Sequence, residues 1–362
     1  MPARILGMIG VNAPDASTVH VIAGAVSPTW IATHAREHEA AGYDEVLVGY
    51  YSSSAEGFST ALWAAAHTER LSYLIAHRPG RVEPALMARK IATFDALTNG
   101  RMSLHVIIGA SDADQQAEGD FLGKEDRYLR GAEYLDIMRR IWTEPNPVDY
   151  EGRFYRLKGG SSEVKPVQQP YPTLMFGGSS GGALDMGAQH CDVFAMFGEP
   201  LKDTAERVAD YRARCARHGR CAGFNVSFRP IIAATEGQAW DKARRILDEV
   251  KSSSAATGRA PISHSGERLM EIAKQGEVYD ERLWMPIAAA TAAAGNTTCL
   301  VGTAEQVADA LLKYYRLGIS SFLLRGFEPA VDVAAFGQEL LPRVRAGALR
   351  IDDEMVAAKG SA

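Results

Sequence analysis

The stretch 171–190, YPTLMFGGSSGGALDMGAQH, sets two glycines and two serines, Gly177-Gly178-Ser179-Ser180, between an apolar run and a segment of helical spacing. These are residue types that hold an anion. Glycine lets the backbone approach a ligand closely, and the first amides of a helix have no internal partners. A phosphate placed there would receive those amides, the positive end of the helix dipole and two serine hydroxyls. The dipole contributes about 0.5–2 kcal/mol and each charge-assisted hydrogen bond about 1.5–3 kcal/mol. A helix merely N-capped by serine is the competing explanation, and it accounts for one hydroxyl. The phosphate could belong to a cofactor or to a substrate.

The elements that would position this turn follow from the hydrophobic pattern. Short apolar, often β-branched runs alternate with helical patterns, and strands are expected at 5–11, 45–50, 72–77, 103–109, 173–177, 193–197, 225–234 and 320–327. Between the later runs, Ala239, Ala243, Ile246 and Val250 recur at helical spacing, and Thr303 with Gln306 forms a capping-box signature. Strands alternating with helices imply parallel βαβ units, and eight of them predict an α/β fold closed as a TIM-like (β/α)8 barrel. An open doubly wound sheet is the alternative. The working face of a barrel lies at the carboxyl ends of its strands, where Gly177 to Ser180 would sit.

Two segments interrupt the alternation. Residues 148–157, VDYEGRFYRL, alternate aromatic and polar side chains about Glu151-Gly152 and read as a small hairpin insertion. Residues 251–296 form a long insertion between the seventh and eighth strands, expected to be a mobile, lid-like segment. Its end, PIAAATAAAGN at 286–296, is small-residue chain with little to anchor it. With no internal repeat, residues 1–362 read as a single domain containing this insertion.

Bulk properties narrow the function classes. The chain of 362 residues is 46% hydrophobic and 23% charged with a net charge of −5, which leaves no basic footprint for nucleic acid. No apolar run approaches the roughly 20 residues needed to span a membrane, and the amino terminus does not read as a secretory signal. The four cysteines, Cys191, Cys215, Cys221 and Cys299, are scattered, which fits a reduced, cytoplasmic protein without a metal site.

Several longer stretches carry a resemblance. HRPG (77–80), ATFDALTNGRMSLHVIIG (92–109), EDRYLRGAEYLDIMRRIW (125–142), KPVQQPYPTLMFGGSS (165–180), FGEP, RHGR and LVGTAEQVADALLKYYRLGISSFLLRGF (300–327) are similar to the bacterial-luciferase-like flavin monooxygenases. The alkanesulfonate monooxygenase branch is the one most resembled, and the match runs in order along nearly the whole chain. It implies reduced FMN (FMNH2) delivered by a separate NAD(P)H-dependent flavin reductase, and O2 as co-substrate, activated as a flavin C4a-(hydro)peroxide. A homodimer or homotetramer is implied as well. Carried over, the FMN phosphate would meet Gly178, Ser179, Ser180 and Tyr128. His105, Ile108 and Gly109 would lie beside the flavin ring. Tyr128 packed on the rim and His105 as a core histidine remain the alternatives.

The substrate pocket departs from that branch. Ser54 is nearest to its cysteine, Asn12 replaces a histidine, Ser227-Phe228-Arg229 replaces Arg-Leu-His, and Gly326-Phe327-Glu328-Pro329 replaces Gly-Tyr-Pro-His. The branch's lid arginine falls near Thr291. Arginines remain, with Arg78 and Arg81 after the third strand and Arg229 and Arg325 near the ends of the seventh and eighth. Guanidinium groups bind oxyanions with two parallel hydrogen bonds and stay charged when partly buried. Asn12, Ser54, Arg78, Ser227, Arg229 and Arg325 are therefore the candidate substrate contacts, and His105, Tyr50 and Arg325 the candidate catalytic groups. Pairing of the arginines with rim carboxylates such as Glu56, Glu199 or Glu328 is the competing expectation. The resulting reading is oxygenation of an organosulfonate-type anion, a sulfosugar among them, with C–S cleavage and sulfite release. Alternatives are a monooxygenase of a sulfone, amine or aldehyde, a deazaflavin F420-dependent oxidoreductase on the same barrel, and a flavin carrier without turnover.

Overall fold

Most barrel strands are short, largely buried apolar runs, as expected where helices cover the outside and packed side chains fill the inside, with polar groups such as His105, Asn225 and Ser227 set inward near the cavity. The computed structural model describes residues 3–13, 24–109, 111–252 and 263–360, without the side chains of 359 and 360. Among these, eight parallel strands close a barrel: β1 (Arg4–Met8), β2 (Glu45–Val48), β3 (Ser72–His77), β4 (Met102–Val106), β5 (Leu174–Gly177), β6 (Val193–Phe197), β7 (Gly223–Ile232) and β8 (Ser321–Leu324). The β6–β7 and β8–β1 ladders complete the ring, which gives the expected (β/α)8 architecture. Leu6, Leu74 and Met175 form an apolar layer inside it.

Helices wrap the ring: α1 (Pro28–Ala40), α2 (Gly57–Ala65), α3 (Pro84–Leu97), α4 (Lys124–Thr143), α5 (Gly181–His190), α6 (Leu201–Arg217), α7 (Glu236–Ser252) and α8 (Ala304–Arg316). In α8 the capping box is complete, with Thr303 and Gln306 satisfying each other's amides. The hairpin insertion is present as Val148–Glu151 paired with Arg156–Gly160.

The insertion after α7 differs from an unanchored loop. Residues 253–262 of it lie outside the described residues. The rest carries the helix His264–Gln275, a ladder of Val278–Tyr279 with Leu283–Trp284, the helix Pro286–Ala290 and the strand Cys299–Gly302. The small residues of 286–296 are packed: Ile287 and Ala288 are fully buried, and the Thr291 hydroxyl lies 2.7 Å from that of Thr297. Small side chains allow this close packing, while the same composition in a sequence reads as linker.

That last strand also corrects the expectation for Arg229. The first half of β7 pairs with β8, from Asn225↔Ser321 to Phe228↔Leu324, whereas Arg229 to Ile232 pair with Cys299–Gly302. The strand leaves the barrel wall at Arg229 and joins the insertion's sheet. Ser227 and Arg229 share a strand face, yet only Ser227 lines the barrel cavity. Arg229 is 0% exposed and donates from Nε to Asn296 O at 3.1 Å and from Nη1 to Gly326 O at 3.0 Å, with its guanidinium 4.6 Å from the Phe327 ring. Burial, and then the neighbouring Arg325 charge, push its pKa down. It fastens the insertion to the barrel and is not among the residues that line the cavity.

Arg229→Ala strands two buried carbonyls and should lower unfolding free energy by about 2–4 kcal/mol in urea titrations; an unchanged midpoint would contradict the fastening role. His38, His77 and His190 are buried, and burial lowers their pKa values to about 4, 3 and 3. The unfolded chain therefore takes up protons near pH 6.5 that the folded one refuses until about pH 3–4. Their contribution is complete above about pH 6.5 and is lost as pH falls through that window. The Tm should drop steadily over the same range, and a flat Tm from about pH 6.5 to 4.5 would show that these histidines do not govern acid stability.

Candidate functional site

All eight strands open at their carboxyl ends into one cavity of about 530 Å³, a volume suited to a cofactor-sized ligand. Its floor is the Leu6, Leu74 and Met175 layer. Gly178, Ser179 and Ser180 line the wall where β5 passes into α5. A Cβ on Gly178 would lie 2.7 Å from the Phe176 ring and 3.0 Å from Ala183, so this tight turn requires glycine. Beside Gly181 there is open space.

Ser180 occupies the N-cap of α5 without capping it. Its hydroxyl instead donates to the Tyr128 hydroxyl at 3.0 Å. The first amides of α5 are thus left without their usual side-chain acceptor. Tyr128 comes from α4 and is 8% exposed, so its phenol is fixed against the cradle. Ser179 Oγ lies 2.9 Å from Ser265 Oγ, at the start of the insertion helix His264–Gln275. Two helix N-termini therefore converge on the same hydroxyl cluster. A donor set of backbone amides and hydroxyls, with Lys124 also lining the cavity, fits a phosphate monoester.

Beside the cradle, His105 is the penultimate residue of β4, with its Nδ1 buried and without a partner. Burial lowers its pKa to about 4, so the imidazole is neutral near pH 7 and keeps one donor and one acceptor nitrogen. Ile108 and Gly109 line the same wall. Gly109 has φ +87°, and a Cβ there would lie 1.5 Å from the Gln115 side chain. Only glycine fits. The structure thus gathers Gly178, Ser179, Ser180, Tyr128, His105, Ile108 and Gly109 around one cavity.

The remaining candidates divide. Tyr50 lines the cavity, but its hydroxyl donates to the Glu118 carboxylate, and burial followed by that carboxylate raises its pKa. It is a held wall residue and does not present a free acid. Arg78 also lines the cavity, stacked 4.7 Å over the Tyr50 ring. Its guanidinium bonds Asp114 and, at 2.9 Å, Glu118, so its charge is already balanced. The rim carboxylates expected to do this are engaged elsewhere: Glu56 with Lys90, Glu199 with Arg207 and Arg268, Glu328 with Lys242 and Arg245. Arg81 pairs with Asp120. Ser54 closes a local turn, donating to Tyr51 O at 2.9 Å, and lies outside the cavity lining, as does Asn12 among the described residues. Ser227 and Arg325 do line it.

Sequence reasoning missed Lys124, Ser265 and Asn225, all of which line the cavity. Ser263 at the head of an apolar-periodic segment, with Leu269 and Ile272 buried, was the available signal for the helix that carries Ser265. Nothing local to the sequence brings that helix to the barrel mouth.

Comparison with solved structures supports the architecture. A riboflavin lyase (RcaE), determined with modified FMN and riboflavin, is 19% identical with a TM-score of 0.76, covering 96% of this chain and 92% of that one. EDTA monooxygenase (EmoA) from Chelativorans sp. BNC1 is 15% identical with a TM-score of 0.75, covering 96% and 94%. An F420-dependent secondary alcohol dehydrogenase is 15% identical with a TM-score of 0.70, covering 95% and 100%. At these identities the likenesses establish the fold alone. The family is shown separately: the model of luciferase-like monooxygenases matches residues 8–321, and the chain belongs to that family.

Proposed function

We propose that the protein is the oxygenase of a two-component system, taking reduced FMN from a separate NAD(P)H-dependent flavin reductase and using O2 on an organosulfonate-type anion, with C–S cleavage and sulfite release. The observation that carries the flavin reading is the open N-terminus of α5, whose capping serine bonds Tyr128 instead. Gly178, Ser179, Ser180 and Tyr128 would hold the FMN phosphate, with Ser265 and Lys124 completing the cradle. When bound, reduced FMN supplies the reactivity toward dioxygen that the side chains lack.

The chain's own residues orient and shield. Neutral His105, with Ile108 and Gly109, would border the flavin ring and offer one hydrogen-bonding nitrogen without adding charge. Residues 263–266 and 292–296 of the insertion roof the cavity and would exclude water from the reacting centre. Arg325, whose pKa burial lowers to about 10, remains a cation at neutral pH and would attract an anionic substrate. The F420-dependent reading is the runner-up, favoured by a shared fold with an F420-dependent dehydrogenase. A cradle rich in donors suits a terminal phosphate monoester better than a diester inside a longer tail.

Replacing Ser179 and Ser180 together with alanine should weaken reduced-FMN binding about 10²-fold, from the loss of two charge-assisted hydrogen bonds, with the circular dichroism unchanged. Unaltered affinity would remove the phosphate assignment. Purified protein supplied with FMN, a flavin reductase, NADH and O2 should release sulfite from members of a sulfonate panel that includes sulfosugars. No sulfite from any of them would eliminate the substrate class, and tight F420 binding in place of FMN would eliminate the cofactor.

A further inference from the structure

Across the barrel from the phosphate cradle lies a second group of unsatisfied donors. Arg325 follows β8 and turns into the cavity. Its Nη1 rests 2.8 Å from Met8 Sδ on β1, a thioether that accepts weakly and carries no charge. Its Nε is buried without a partner. No carboxylate of the described residues bonds it, and the titratable groups coupled to it are Tyr51 and the buried Arg229, itself a cation.

A purely structural arginine looks different, and this molecule supplies the comparison. Arg229 sends its Nε and Nη1 to two backbone carbonyls. Arg78 is balanced by Asp114 and Glu118. Arg325 has neither kind of partner, and a cation half-withdrawn from water without an acceptor is costly unless a ligand provides one.

Ser227 supplies a second orphan. It is 5% exposed, its Oγ has no partner, and it lines the same cavity. The β7–β8 register sets Ser227 opposite Leu323, so Arg325 stands two positions further along the neighbouring strand on the same inward face. A diagonal neighbour at that spacing is within reach of a long side chain.

We infer that Arg325 and Ser227 together form a receptor for one oxyanion, so that the substrate's head carries a single negative charge docked on the β7–β8–β1 side of the cavity. This rests on the monooxygenase reading and adds to it the position and charge of the substrate's head. The guanidinium edge offers two parallel donors and the serine a third, a match to the three oxygens of a sulfonate. A doubly charged head would leave its second charge facing the apolar layer of Leu6, Leu74 and Met175.

Calorimetric titration tests this on both FMN-loaded and flavin-free protein, with octanesulfonate, octanol and octyl phosphate as probes at about pH 8, where the phosphate is a dianion. Octanesulfonate should bind at least about tenfold more tightly than either of the others. Arg325→Met should abolish that preference, Arg325→Lys should restore part of it, and Ser227→Ala should weaken sulfonate binding about threefold or more while leaving octanol unchanged. FMN affinity should be the same in all variants. Equal binding of sulfonate and alcohol to the wild-type protein, or a preference that survives Arg325→Met, would overturn the receptor. Failure of the wild-type protein to bind FMN would instead strike the proposed function, and the flavin-free titration would still judge the receptor.

Discussion

The site depends on backbone amides at the start of α5 that the chain itself leaves open. A serine at a helix N-cap ordinarily turns its oxygen back to an amide of the first turn. Here Ser180 turns to Tyr128, a residue from a different helix. That single hydrogen bond fixes the phenol, frees the amides and ties α4 to the mouth of the barrel. Gly178 makes it possible, because a side chain there would collide with Phe176 and Ala183 and push the helix away from the strand end. The insertion then brings a second helix N-terminus to the same place through Ser179 and Ser265.

Charge is distributed across the cavity in a way that complements this cradle. Near the ends of β2 and β3, Arg78 is paired with two carboxylates and packed on Tyr50, so that wall offers a ligand no net positive charge. Near β8, Arg325 stays cationic against a thioether. Around the ring the β1 strand, which carries Met8, is four strands from β5, so the two anion-seeking regions face each other over an apolar floor. A long ligand gripped at one end would lay its other end near the opposite pole.

Much of this architecture was legible in the sequence, and for definite reasons. The strand runs, the hairpin read at 148–157 and the Thr303–Gln306 capping box are local patterns, and each formed within a few residues of where the pattern put it. The place of the Gly-Ser turn at the junction of β5 and α5 was legible because that signal is local as well. Features that depend on register between distant segments were not. Arg229 shares a strand face with Ser227, but Cys299–Gly302 draws its half of β7 away from the barrel, and nothing near Arg229 announces that partner. Arg78 reads from the sequence as a candidate substrate contact, because Asp114 and Glu118, which pair with it, approach from the next βα connection. The alanine-rich end of the insertion resembled linker, since small residues serve tight packing and slack chain equally well.

The proposed function requires that the open amides and hydroxyls at the β5–α5 junction recognise a terminal phosphate. The direct measurement is the ratio of affinities for FMN and riboflavin, titrated in the same buffer, since the two ligands differ by that phosphate alone. FMN should bind at least about 10²-fold more tightly, the equivalent of two charge-assisted hydrogen bonds. Equal affinities would mean that the cradle holds nothing, and the account would be wrong.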